Sequence, residues 1–123
     1  LHEVDVIVYG TGFTATDFLA PLAVRGRDGT DLREDWSAHG PQAYLGITVP
    51  SFPNLFLMYG PNTNIVINGS IIYFSELEAR YITECVRLLL YEGRTSLEVK
   101  RAVHDEYNER VDAANRRMAS SRP

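Results

Sequence analysis

Apolar positions fall along this chain in two distinct ways. Val4 to Tyr9 (VDVIVY) is apolar on both faces apart from Asp5, and Asn54 to Tyr59 (NLFLMY) repeats that pattern. Continuous apolar runs of this length predict strands of a parallel sheet covered on both sides. Later the period changes. Ile71, Phe74, Leu77, Tyr81, Cys85 and Leu88 recur every three or four residues, which predicts one apolar stripe on a helix of roughly six turns. Asn68, Gly69 and Ser70 before it are acceptable N-cap types, and Gly93 is placed to stop it in a left-handed turn. After the short extended piece TSLEV, a last helix is expected from about Lys100 to Ala119, with the thinner stripe Val103, Tyr107, Val111, Ala114 and Met118.

Between the two apolar runs the pattern dissolves. Gly26, Gly29, Gly40 and Gly46, with Pro21, Pro41 and Pro50, disfavour long regular elements from about Thr14 to Pro50. PLAVRG and AYLGITV suit strands of an irregular antiparallel excursion, with a hairpin turn at Asp28-Gly29. The resulting fold class is α/β: few parallel strands, an irregular antiparallel excursion and two C-terminal helices. We divide residues 1–123, read as a single piece, into strands and excursion (1–60), a loop and helix (61–93), and a short extended piece with the final helix (94–123). Sheets usually carry about four to six strands, so two strands read as part of a larger fold.

Composition changes little in this picture. A net charge of −4 gives no electrostatic reason to expect nucleic acid. No apolar run approaches the ~20 residues of a membrane span, and LHEVDV has none of the sections of a secretory signal. The single cysteine, Cys85, excludes an intrachain disulfide and fits a reducing compartment. The expectation is a cytoplasmic protein, or a piece of one.

Both apolar runs end in glycine. Gly10-Thr11-Gly12 suits a nucleotide-contacting turn at the carboxyl end of a parallel sheet, and equally a tight strand exit with no ligand. No G-x-G-x-x-G occurs in the chain. Gly60-Pro61-Asn62-Thr63-Asn64 leads toward the start of the long helix, where unpaired N–H groups and the helix dipole favour an electron-rich ring edge. The same amides also serve simple turns and a cap. Other candidates are weaker. Asp28, Asp31, Glu34 and Asp35 lack the spacing of an EF-hand loop. Cys85 lies on an apolar stripe, Ser70 has no triad partners in its sequence context, and the charges of the last helix read as solvent surface.

In order, DVIVYGTGFTATDFLAPLAVRGRDG, AYLGITVPSFPNLFLMYGPNTN and the helix beginning SII resemble class B flavoprotein monooxygenases, within them the Baeyer–Villiger type. The resemblance covers about residues 4 to 92, and VKRAVHDEYNERVDAANRRM looks like the stretch that follows. It implies a partial Rossmann-like FAD/NAD(P)-binding domain, namely the carboxyl-terminal part of the FAD-binding domain. It further implies that Gly10, Thr11 and Gly12 match the family's late A-T-G-F motif near the FAD, with Gly10 in place of alanine. Asn62, Thr63, Asn64, Gly69, Ser70 and Ile71 resemble the part that approaches the isoalloxazine ring. Family members often carry His where Ile67 or Asn68 stands. The glycine fingerprints, the F-x-G-x-x-x-H-x-x-x-W signature and the active-site Arg of the family lie upstream of the matching region. His2, His39, His104 and Trp36 fit none of those patterns, so no catalytic residue is assigned.

The function implied is a share of an FAD- and NADPH-dependent enzyme that inserts one oxygen atom from O2 into a ketone. NADPH would not be bound by this segment, and the segment itself would be inactive. The partners implied are the missing N-terminal part of the same enzyme and a small-molecule carbonyl substrate, with no nucleic acid and no membrane. Self-association of the isolated chain is expected from its unfinished sheet. Two alternatives are a flavin-containing N- or S-oxygenase and a non-catalytic, oligomerising fragment.

Overall fold

The computed structural model describes residues 3–12, 17–63 and 69–117. Its regular elements are a 3-10 turn at Arg27–Gly29 and three helices: α1 (Leu32–Ser37), α2 (Ile71–Tyr91) and α3 (Arg101–Asn115). No strand forms among the described residues, which corrects the parallel strands expected at 4–9 and 54–59. The reason is the absence of a neighbour. A strand's N–H and C=O groups need an adjacent chain, and residues 4–9 lie exposed, with Val8 at 88% and Tyr9 at 81%. Residues 54–59 are turn and coil, anchored by Leu57, which is buried and donates its N–H to the Ile47 carbonyl at 2.8 Å.

The core sits in the segment whose pattern was least regular. Leu32, Trp36, Ala43, Val49, Phe52 and Leu57 form one buried cluster, with Phe18, Leu19, Val24 and Leu55 packed against it. Each large apolar side chain so buried contributes about 1.5–3 kcal/mol relative to exposure. Phe18 meets Trp36 edge-on, with ring centroids 6.4 Å apart, and the indole N–H donates to the Gln42 carbonyl at 3.0 Å. A buried indole needs such a partner.

Among the described residues the excursion is held by turns rather than by antiparallel strands, with isolated bridges joining Arg25 to Asp31 and Tyr44 to Thr48. The expected turn at Asp28-Gly29 is present: both residues have positive φ, 57° and 76°. Asp31 then caps α1, accepting from the Arg33 N–H at 2.9 Å. This short helix was not expected, although Asp31 followed by Glu34 carries the spacing of a capping box.

Helices α2 and α3 flank the core, but their buried faces differ from the expected stripes. On α2, Ile71, Leu77 and Leu88 are exposed, whereas Glu78 is buried and Phe74, Tyr81 and Cys85 are half-buried. On α3, His104 and Asn108 are buried, Val103 and Ala114 are exposed, and Met118 lies outside the described residues. Tyr107 docks α3 by packing edge-on against Tyr44, with centroids 5.2 Å apart at 70°. Asn54 ties down the linker between the helices: its side chain donates to the Thr95 carbonyl and accepts from the Leu97 N–H, both at 3.0 Å. Among the described residues, no helix is long and apolar enough to cross a membrane.

Candidate functional site

The segment from Gly46 to Thr63 is built around a close approach of two glycines. A Cβ on Gly60 would strike the Gly46 carbonyl, and a Cβ on Gly46 would strike the Thr63 methyl group. Gly46 also has φ +74°, a conformation that L side chains avoid. With no side chains between them, the two turns interlock. Thr63 is buried there, its hydroxyl donating to the Gly60 carbonyl at 2.8 Å.

Tyr59 and Asn62, on either side of Gly60-Pro61, both hold positive φ (58° and 61°). The surroundings stabilise this uncommon backbone. From α2, the Glu78 carboxylate accepts the Tyr59 N–H at 3.1 Å. From α3, the Asn115 amide reaches the Asn62 side-chain oxygen at 3.5 Å. Pro61 and Gly60 are buried while Asn62 is exposed, so this amide stands at the surface of an otherwise fixed turn.

Ser70 caps α2. Its hydroxyl accepts from the Tyr73 N–H at 3.3 Å, and its carbonyl accepts from the Phe74 N–H at 3.0 Å. Gly69, Ser70 and Ile71 are exposed, so the positive end of a 21-residue helix opens outward. Gly10, Thr11 and Gly12 are likewise exposed. Gly12 has φ +71°, and among the described residues nothing beyond the chain neighbours lies within 4 Å of where a Cβ on Gly10 or Gly12 would stand. Asn64 lies outside the described residues.

Of the sequence-predicted set, Asn62 and Thr63 share one turn, and Gly69, Ser70 and Ile71 share one helix start. Gly10, Thr11 and Gly12 lie on the exposed amino-terminal segment, and among the described residues no hydrogen bond joins the three groups. The residues that sequence reasoning missed are Gly46 and Glu78. A glycine within AYLGITV was a weak signal of close backbone approach, and nothing marks one glutamate of α2 as buried.

A cleft of about 610 Å³ lies elsewhere, between α1 and α3. Asp35, Arg101, Asp105, Glu109 and Asp112 line it, with the buried His104 and Asn108. His104 Nδ1 lies 2.8 Å from Asp105, and Arg101 lies 3.9 Å from Asp35. Among the described residues, none of those expected to face the cofactor lines this cleft. Among the described residues, no group of three or more His, Cys, Asp or Glu is placed to hold a metal ion. Burial pushes the Tyr81 and Tyr107 phenols and the Cys85 thiol above their ordinary values, with neighbouring Cys85 and Tyr44 adding to the effect on Tyr81. A thiol raised in this way is a poor nucleophile at neutral pH.

In sequence and in fold the chain is similar to flavin-dependent monooxygenases. A Baeyer–Villiger monooxygenase of Pseudomonas aeruginosa is 47% identical over 108 residues, covering 88% of this chain and 20% of that protein. A crystal structure of open cyclohexanone monooxygenase superposes with a TM-score of 0.80 at 31% identity, covering 94% of this chain and 22% of the other. The structure of OTEMO in complex with FAD and NADP superposes with a TM-score of 0.75, covering 92% of this chain and 21% of the other. No protein-family model matches the chain. The chain is therefore a homologue of Baeyer–Villiger monooxygenases, corresponding in sequence and fold to one segment of them. It spans about a fifth of the length of the curated relatives it matches.

Proposed function

We propose that this chain is a carboxyl-terminal part of the FAD-binding domain of a cytoplasmic FAD- and NADPH-dependent monooxygenase that inserts one oxygen atom from O2 into a ketone. The observation that carries this reading is the 47% identity with a Baeyer–Villiger monooxygenase over nearly nine-tenths of the chain. The residues present suit a flavin. Gly10 and Gly12 leave the main chain open to a flat ring, and the start of α2 offers backbone donors to an electron-rich edge. Bound FAD, reduced by NADPH, would supply the chemistry that activates O2 and transfers one of its atoms.

This chain's own residues hold and orient. Gly10, Thr11 and Gly12 would follow one side of the cofactor, Asn62, Thr63 and Asn64 would border the ring, and Gly69, Ser70 and Ile71 would present the helix dipole to it. The field at a helix end amounts to roughly half an elementary charge, which favours negative charge on a ring edge. The exposed apolar run at residues 4–9 would pair with strands of the amino-terminal part, completing the sheet and excluding water from the ring.

The test is to express the complete reading frame that contains this segment and supply NADPH, O2 and a panel of linear and cyclic ketones. Yellow, FAD-loaded protein that yields esters or lactones is expected. Flavin-loaded protein that oxidises only amines or sulfides would overturn the ketone assignment, and flavin-free protein would overturn the reading as a whole.

A further inference from the structure

Helix α2 carries an inversion: Glu78 is 3% exposed, whereas Leu77 beside it is 42% exposed. Burying a carboxylate opposes folding unless its oxygens are satisfied. Here Oε2 accepts the Tyr59 N–H at 3.1 Å, and Oε1 makes no hydrogen bond among the described residues. The bond lands on a backbone held in an uncommon conformation. Tyr59 has positive φ, the following Gly60 is pressed against Gly46, and Asn62 again has positive φ. Tyr59 lies in a bend rather than a strand, so its N–H has no ladder partner and the carboxylate supplies the acceptor instead.

We propose that Glu78 is a positioning residue for the cofactor: through the Tyr59 N–H it sets the path of Gly60-Pro61-Asn62-Thr63 relative to the start of α2, and so fixes the ring-bordering turn and the helix end as one unit. This deepens the reading above and rests on it. Glu78 touches no reacting atom. It acts by joining two structural pieces, Asn62 and Thr63 on one and Ser70 and Ile71 on the other, that lie in separate elements.

The test uses the complete enzyme with three variants. Glu78→Gln keeps a carbonyl-type oxygen within reach of Tyr59. Glu78→Asp keeps the charge but is one methylene shorter, and Glu78→Ala removes the acceptor. Flavin affinity, the visible circular dichroism of the bound flavin, and amide exchange at Tyr59 are read in each. Glu78→Gln is expected to bind FAD within about threefold of the unaltered enzyme, whereas Glu78→Asp and Glu78→Ala weaken binding by about tenfold or more. The two weakened variants are also expected to change the flavin dichroism and lose protection at Tyr59. If Glu78→Ala fails to fold, Glu78→Asp against Glu78→Gln decides the matter. Unaltered flavin affinity and dichroism in Glu78→Asp, or equal losses in Glu78→Gln and Glu78→Asp, would overturn the proposal. An unaltered enzyme that binds no FAD would instead defeat the functional reading, and the exchange at Tyr59 would still report whether the bond holds the turn.

Discussion

Gly46 and Gly60 pack backbone against backbone, so that a side chain on either one would enter the space of the other turn. Gly46→Ala adds a left-handed alanine to that overlap. It is expected to destabilise the chain by about 2–4 kcal/mol, the sum of a φ penalty and an overpacking penalty. Gly40→Ala, at φ +80° with open space where its Cβ would stand and its N–H held by the Trp36 carbonyl at 2.8 Å, isolates the φ penalty and should cost about 1–2 kcal/mol. Urea unfolding of both variants checks this; equal effects would show that the close approach contributes nothing.

The edge-on pair of Tyr44 and Tyr107 joins α3 to the turn-rich core. A double-mutant cycle with leucine at each position is expected to give a coupling of about 0.5–1.5 kcal/mol. A coupling near zero would mean that α3 is held by its polar contacts instead, namely Gln42 with Asp112 at 3.4 Å and Arg101 with Asp35.

Stability should fall in alkali. Cys85, Tyr81 and Tyr107 have folded-state values raised above the ordinary 9.0 and 10.0, chiefly by burial. The folded chain therefore keeps protons that the unfolded chain releases. This contribution is fully present below the unfolded values and is lost as pH rises through the folded ones. The urea midpoint should therefore drop as pH rises past the ordinary values of 9.0 and 10.0, and Tyr81→Phe or Tyr107→Phe should shallow the drop. A midpoint that rises past those values would contradict the assignment.

Apolar surface left without cover should drive self-association. Residues 4–9 are exposed, and at the far end of α2 Leu90 and Tyr91 stand 78% and 90% exposed. Light scattering on the isolated chain is expected to report a dimer or larger species, and changing Val6 and Val8 to Lys should shift it toward monomer. A monodisperse monomer with unaltered sequence would count against this expectation.

Local signals in the sequence were reliable where local physics decided the outcome. The periodicity of residues 71–91 marked α2, Ser70 stood among its candidate caps, and Asp28-Gly29 marked its turn. Burial was a different matter. Val4–Tyr9 reads as strand because its residue types suit one, yet pairing needs a second chain segment that the described residues do not supply. Glu78, His104 and Asn108 are buried because of what faces them across the fold, and helical periodicity does not record that. The same limit explains why Ile71 and Leu77 were assigned to a core that does not reach them. The ordered motifs therefore made the family legible, while the buried acid and the interlocked glycines became visible only in three dimensions.

The most direct test is a crystal structure of the complete enzyme with FAD bound. Thr11, Asn62 and Ser70 are expected to border the isoalloxazine ring together. Finding them scattered, with the ring enclosed by other polypeptide, would contradict the account.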